Sequence, residues 1–190
     1  MSTVAPARAP KRRVLLLVVV ALVVSAAAAS ATAVALGSRA DLSSSRHRVD
    51  REWAELRPAL TSRYQSLGRA ATLARARLNT DRTVFDDIAN AVAGWAATER
   101  WPTDRQVGAA ANLEGLAARL GATVATTSRL RAATDVTEAL RPLEQTDAAQ
   151  AGVPYNNAVL AYQRARGGFP RRLVAGALGY EDRRTLEVPA

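Results

Sequence analysis

Hydrophobic positions along the chain follow two regimes. From Val14 to Ser38 no charged residue occurs in 25 positions, and Val14–Val24 is ten Val and Leu plus Ala21. A soluble helix needs a polar face, and this run leaves none. About 20 apolar residues, each rising ~1.5 Å, cross the hydrocarbon core of a bilayer. Ten Val and Leu alone favour insertion by roughly 3–6 kcal/mol, so the segment is expected to enter the membrane as one N-terminal transmembrane helix.

Beyond Ser38 the pattern becomes amphipathic. Val49, Trp53, Leu56, Leu60 and Leu67 recur in steps of four, three, four and seven, one stripe of a helix of the bundle or coiled-coil kind. Pro58 interrupts that stripe and is expected to kink or break the helix. A second helix opens near Thr83 and carries Phe85, Ile88, Val92 and Trp95; Trp101-Pro102-Thr103 ends it and starts another. Leu113, Leu116, Leu120 and Val124 share the next face, with Leu130, Leu140 and Leu143 past a turn expected near Ala132–Asp135. Gly152-Val-Pro154 interrupts again, and Tyr155, Val159 and Tyr162 form the last stripe before Gly167-Gly168-Phe169-Pro170. No alternating run signals a strand. The pattern predicts an all-α fold, an antiparallel bundle of about four helices behind the membrane span. Its parts are a short basic tail (1–13), the span (14–38), the bundle (39–170) and a basic C-terminal tail (171–190).

Composition sharpens this picture. Alanine fills 42 of the 190 positions, which favours helix over sheet. With no cysteine and His47 the sole histidine, disulfides, thiolate metal sites and multi-histidine sites within one chain are excluded. The net charge of +9 is uneven: residues 1–48 hold seven basic side chains against Asp41, a net +6, leaving +3 for the remainder. A nucleic-acid binder concentrates charge on its folded domain with aromatics interleaved. Here the excess flanks the apolar segment, so nucleic acid is not expected as a partner.

Two readings of the apolar segment remain. Lys11, Arg12 and Arg13, the apolar core and Ala31-Thr32-Ala33 also describe a secretory signal cut after Ala33. The anchor reading is preferred because no Gly or Pro breaks the helix between Val24 and Leu36. The compact basic block before the span tips orientation towards a cytoplasmic N-terminus, although Arg39, Arg46, Arg48 and Arg51 follow it. The bundle is then expected outside the cytoplasm, in a single-pass protein of the cell membrane.

No reaction is visible. His47 has no nucleophile marked beside it, and Asp86 and Asp87 point about 100° apart on a helix, suiting its N-terminal dipole rather than a shared site. Arg171-Arg172 and Arg183-Arg184 read as a solvated tail or as contacts to an anionic headgroup or polymer. Phosphate-binding loops, metal-ligand spacings and a nucleophile elbow are missing.

Two stretches carry a family resemblance. Val49-Asp50-Arg51-Glu52-Trp53, then Leu56, Leu60 and Arg63, resembles the first-helix pattern of the LemA family. Tyr155-Asn156-Asn157-Ala158-Val159, then Tyr162, Phe169-Pro170, Leu173, Ala175 and Gly179-Tyr180, is similar to that family's C-terminal pattern, and Leu143–Asp147 to its Leu-Glu-x-Thr-Glu segment. Gly68 stands where the family usually has Pro, Pro58 is extra, and Gln163 replaces a second Asn. The resemblance implies a membrane-anchored helical bundle and transfers no catalytic, cofactor or metal residue. The expected function is therefore a non-enzymatic scaffold or adaptor, with the bilayer, a membrane or envelope protein and a second copy of the chain as partners. The alternative is a sensor-like bundle holding a small ligand between its helices.

Overall fold

The computed structural model describes residues 10–78, 83–145, 147–168 and 171–189, with side chains from Gly37 onward. The 1–13 tail and the apolar segment 14–38 lie almost wholly outside the described side chains, and Phe169 and Pro170 lie outside the described residues. Among the described residues no helix is long and apolar enough to cross a membrane, and none forms a strand.

One helix organises the molecule. α1 runs unbroken from Pro10 to Arg77, 68 residues, or about 100 Å. Of the kink or break expected at Pro58, no break occurs: the helix continues through it. Pro58 and Ala54 are both exposed. The hydrogen bond that proline deletes would have ended on the Ala54 carbonyl, which water can satisfy, while Leu56 and Leu60 stay buried on the opposite face.

The remaining helices are α2 (Thr83–Ala97), α3 (Thr103–Thr126), α4 (Ser128–Arg131), α5 (Thr134–Gln145), α6 (Ala148–Ala151), α7 (Val153–Gly167) and α8 (Arg171–Ala177). α2 descends along α1, pairing Asp86 with Arg75 at 2.8 Å and Trp95 with Tyr64 at 5.0 Å between ring centroids. A short 3-10 turn, Thr98–Arg100, reverses the chain. α3 then climbs parallel to α1, with Thr103 at Asp50 and Glu114 at Arg63. The descent back uses α5 and α7 end to end: Asp135 meets Arg77 at 2.8 Å, and Tyr155 meets Trp53 at 5.2 Å. The result is an up-down-up-down bundle of four helical columns, the fourth broken at α6. That break is the one signalled by Gly152-Val-Pro154. Asp147 caps α6, its Oδ1 accepting from the amides of Ala149 and Gln150.

The last twenty residues do not form a free tail. α8 packs on α1 where the helix enters the bundle, with Arg171 meeting Asp41 at 3.2 Å. Residues 181–188 follow without helix or strand, with Arg183 and Leu186 buried. Gly152 makes room for them: a Cβ there would lie 3.3 Å from Leu186 Cδ2 and 3.1 Å from the Ala148 carbonyl oxygen.

Candidate functional site

The LemA-like positions divide into an apolar set and a polar seam. Val49, Trp53, Leu56 and Leu60 of α1 and Tyr155, Val159 and Tyr162 of α7 are all buried in one core. Trp53 meets the ring of Tyr155 edge-on at an interplanar angle of 61°. Its indole Nε1–H donates to Gln106 Oε1 at 2.8 Å. Gln106 is fully employed: it also accepts from Arg57 Nη1 at 2.6 Å and donates to the carbonyls of Trp101 and Glu99. A carboxamide has two donors and room for two acceptor bonds, so this buried side chain ties α1 to the α2–α3 connection with nothing left over. Arg57 adds a contact to the Trp95 ring at 4.6 Å.

Asp50 stands four residues after Arg46, the spacing of a helical ion pair. Instead its Oδ1 accepts from Thr103 Oγ1 at 2.9 Å and from Arg183 Nη2 at 3.1 Å. Arg183 spans to Asp104 Oδ2 at 2.9 Å with its other nitrogen. The guanidinium, 8% exposed, thus lies between carboxylates of α1 and α3 and pins the tail into the groove between α3 and α7. Arg48 and Glu52, at the same i,i+4 spacing, do pair, at 3.8 Å, with Arg48 exposed and Glu52 half-buried.

From α7, two rows of side chains read the backbone of the tail. Tyr162 Oη donates to the Glu181 carbonyl, Gln163 Nε2 to Arg183, and Tyr155 Oη to Arg184, at 2.8–2.9 Å. Asn156 makes a two-way contact with Leu186, donating to its carbonyl at 3.0 Å and accepting its amide at 2.8 Å. Residues 155 and 162, and 156 and 163, each stand two turns apart, so the four form two adjacent rows along α7. This explains the Tyr-Asn…Tyr-Gln pattern, and why Gln serves at 163, since only a carboxamide donor is used there. Burial pushes the Tyr155 and Tyr162 hydroxyls above the ordinary tyrosine range; both remain neutral donors at physiological pH.

Replacing Asn156 with Ala should cost about 1–3 kcal/mol, because the Leu186 amide and carbonyl lose their partners together. Urea melts measure it. If the melt is unchanged while a crosslinked partner disappears, Asn156 belongs to an interaction surface rather than to this seam.

Arg63 sits farther along α1. Its Nε and Nη2 hold the Glu114 carboxylate at 2.9–3.2 Å, and its Nη1 donates to the Leu143 carbonyl. Glu114 is 2% exposed. Tyr64 lies beside this pair and donates to the Ala110 carbonyl at 3.3 Å; burial, then the Glu114 charge, pushes its hydroxyl upward. Neither Gln106, Glu114 nor Arg183 was singled out as a buried site residue by the sequence reading. His47 is exposed. Asp86 and Asp87 diverge to Arg75 and Arg119, serving two separate surface pairs. Among the described residues no group of three His, Cys, Asp or Glu side chains could hold a metal ion.

Several concave regions flank these networks, among them clefts beside Arg57 and beside Arg183. An open groove of about 850 Å³ between α1 and α2 is lined by Gly68, Arg69, Thr72, Val92 and Ala93 among others. A cleft of about 220 Å³ lies beside the Arg63–Glu114 pair, closed at one side by Val188 and Pro189 of the tail. Arg63 and Glu114, which line the cleft, are bonded to each other.

The LemA family model matches residues 52–190, most of the chain. No curated protein and no solved structure matches it.

Proposed function

The chain belongs to the LemA family, and on that premise we propose that it is a membrane-anchored, non-enzymatic scaffold whose helical bundle engages a membrane or envelope protein, or a second copy of itself, outside the cytoplasm. The observation that carries this reading is the continuity of α1. A single backbone helix from Pro10 to Arg77 joins the apolar run of the sequence to the central column of the bundle. Anchor and scaffold are then one rod, and every other column packs around it.

The polar chemistry supports the same reading. The guanidinium groups of Arg57, Arg63 and Arg183 bind carboxylates, an amide, a hydroxyl or a carbonyl of the chain itself. A sensor pocket would present convergent polar groups to a ligand, whereas here they hold helices and tail in register. No cofactor or reaction is proposed.

The anchored protein should resist carbonate extraction from membranes, and its mature N-terminus should lie before Lys11. Terminal sequencing that begins at Val34 would replace this reading with a secreted bundle. Crosslinking in intact membranes followed by purification identifies the partner.

A further inference from the structure

Among the described residues, the two most exposed large apolar side chains are Leu173, at 64%, and Leu178, at 47%. Both belong to one short stretch, α8 and the residue after it. Ala175 is buried and Val174 half-buried against the bundle, so α8 is amphipathic with its apolar side divided: one part packs inward and Leu173 points out. Arg171 and Arg172 open the helix and no acid lies within it. Of the acids nearby, Asp41 is taken by Arg171 and Asp182 by Arg166, while Glu181 is exposed.

The position of this stretch on α1 is fixed. Arg171 holds Asp41, and Arg46 lies over the Tyr180 ring at 5.9 Å. Asp41 follows Leu36, the last large apolar residue of the apolar run, by five positions on a continuous helix, which is about 8 Å along the axis. An interfacial segment buries its apolar face roughly 5–10 Å into the boundary between headgroups and acyl chains. We propose that α8 is a membrane-surface element, with Leu173 and Leu178 entering the interface and Arg172 and Arg39 binding anionic lipid headgroups. This rests on the anchor reading and adds to it: the bundle is held against the bilayer at a second point, which limits rotation and tilt about α1.

The absence of native cysteine makes the test direct. The full chain, reconstituted in phosphatidylglycerol–phosphatidylcholine vesicles, receives a single fluorophore at Leu173→Cys, Leu178→Cys or Ala125→Cys. Ala125 is exposed at the opposite end of the bundle, at the end of α3 near Arg77 and Arg129. Nitroxide-headgroup lipid should quench the 173 and 178 labels at least about threefold more than the 125 label, given the shallow depth at which interfacial residues sit. Pure phosphatidylcholine, or Arg39→Gln with Arg172→Gln, should reduce that excess. Equal quenching at 173 and 125 in protein that resists carbonate overturns the surface contact alone and leaves these leucines to a protein partner. Protein stripped by carbonate overturns the anchor reading, and this contact with it.

Discussion

Glu114→Ala should lower the stability of the bundle by about 3–5 kcal/mol, the cost of leaving a buried guanidinium without its counter-charge. Arg63 is 11% exposed and has turned three of its contacts towards Glu114, so it cannot recover those bonds from solvent without moving. Arg63→Ala should cost a comparable amount, because Glu114 is more deeply buried still. Replacing both with apolar residues of similar size, Arg63→Met with Glu114→Leu, should cost less than either single change, since no orphan charge remains. The rescue should be incomplete. Arg63 also serves the Leu143 carbonyl in the last turn of α5, where no intrahelical donor reaches. Chemical denaturation of the four proteins gives the full cycle, and a Glu114→Ala protein within about 1 kcal/mol of the parent would show that the pair contributes little.

That pair also marks where sequence pattern stops carrying information. The stripe from Val49 to Leu60 was legible because its period matches a helix face, and all four of its members are buried. The same logic located the stripes of α2, α3 and α7 and the interruptions at Trp101-Pro102 and Gly152-Val-Pro154. It missed Ala70, Ala71 and Ala74, which extend the α1 core beyond Leu67, because alanine is too abundant here to mark a face. It also overstated Pro58, whose consequence depends on whether the freed carbonyl faces water.

Buried polar residues were the larger gap. A charged side chain is read as outward, yet Arg63 stands three positions after Leu60 and four before Leu67, on the apolar stripe itself. That register was a usable signal. For Arg183 no local signal existed: its carboxylates at Asp50 and Asp104 are distant in sequence, and its own neighbourhood reads as a charged tail. The Tyr155-Asn156 motif could be placed on a helix, but its role appears only when residues 181–188 lie across it. The membrane span expected over 14–38 rests on the sequence alone, and the side chains of residues 14–36 lie outside those described.

Trp53→Ala should cost roughly 3–5 kcal/mol, as the loss of a buried large aromatic does. The side chain is 3% exposed and sits where α1, α3 and α7 meet. Removing it opens a cavity against Tyr155, whose hydroxyl also holds the tail at Arg184, so part of the effect should appear as loosening of residues 181–188. Trp53→Phe separates volume from hydrogen bonding. It keeps most of the edge-on packing and loses only the indole donor, while Gln106 Oε1 still accepts from Arg57. The Phe variant should therefore lose about 1–2 kcal/mol. Urea melts read stability, and proteolysis read at the C-terminus detects release of the tail. An Ala variant that melts within a degree or two of the parent would place Trp53 outside the core. An Ala variant that loses stability but keeps its tail protected would uncouple the aromatic contact from the groove that holds residues 181–188.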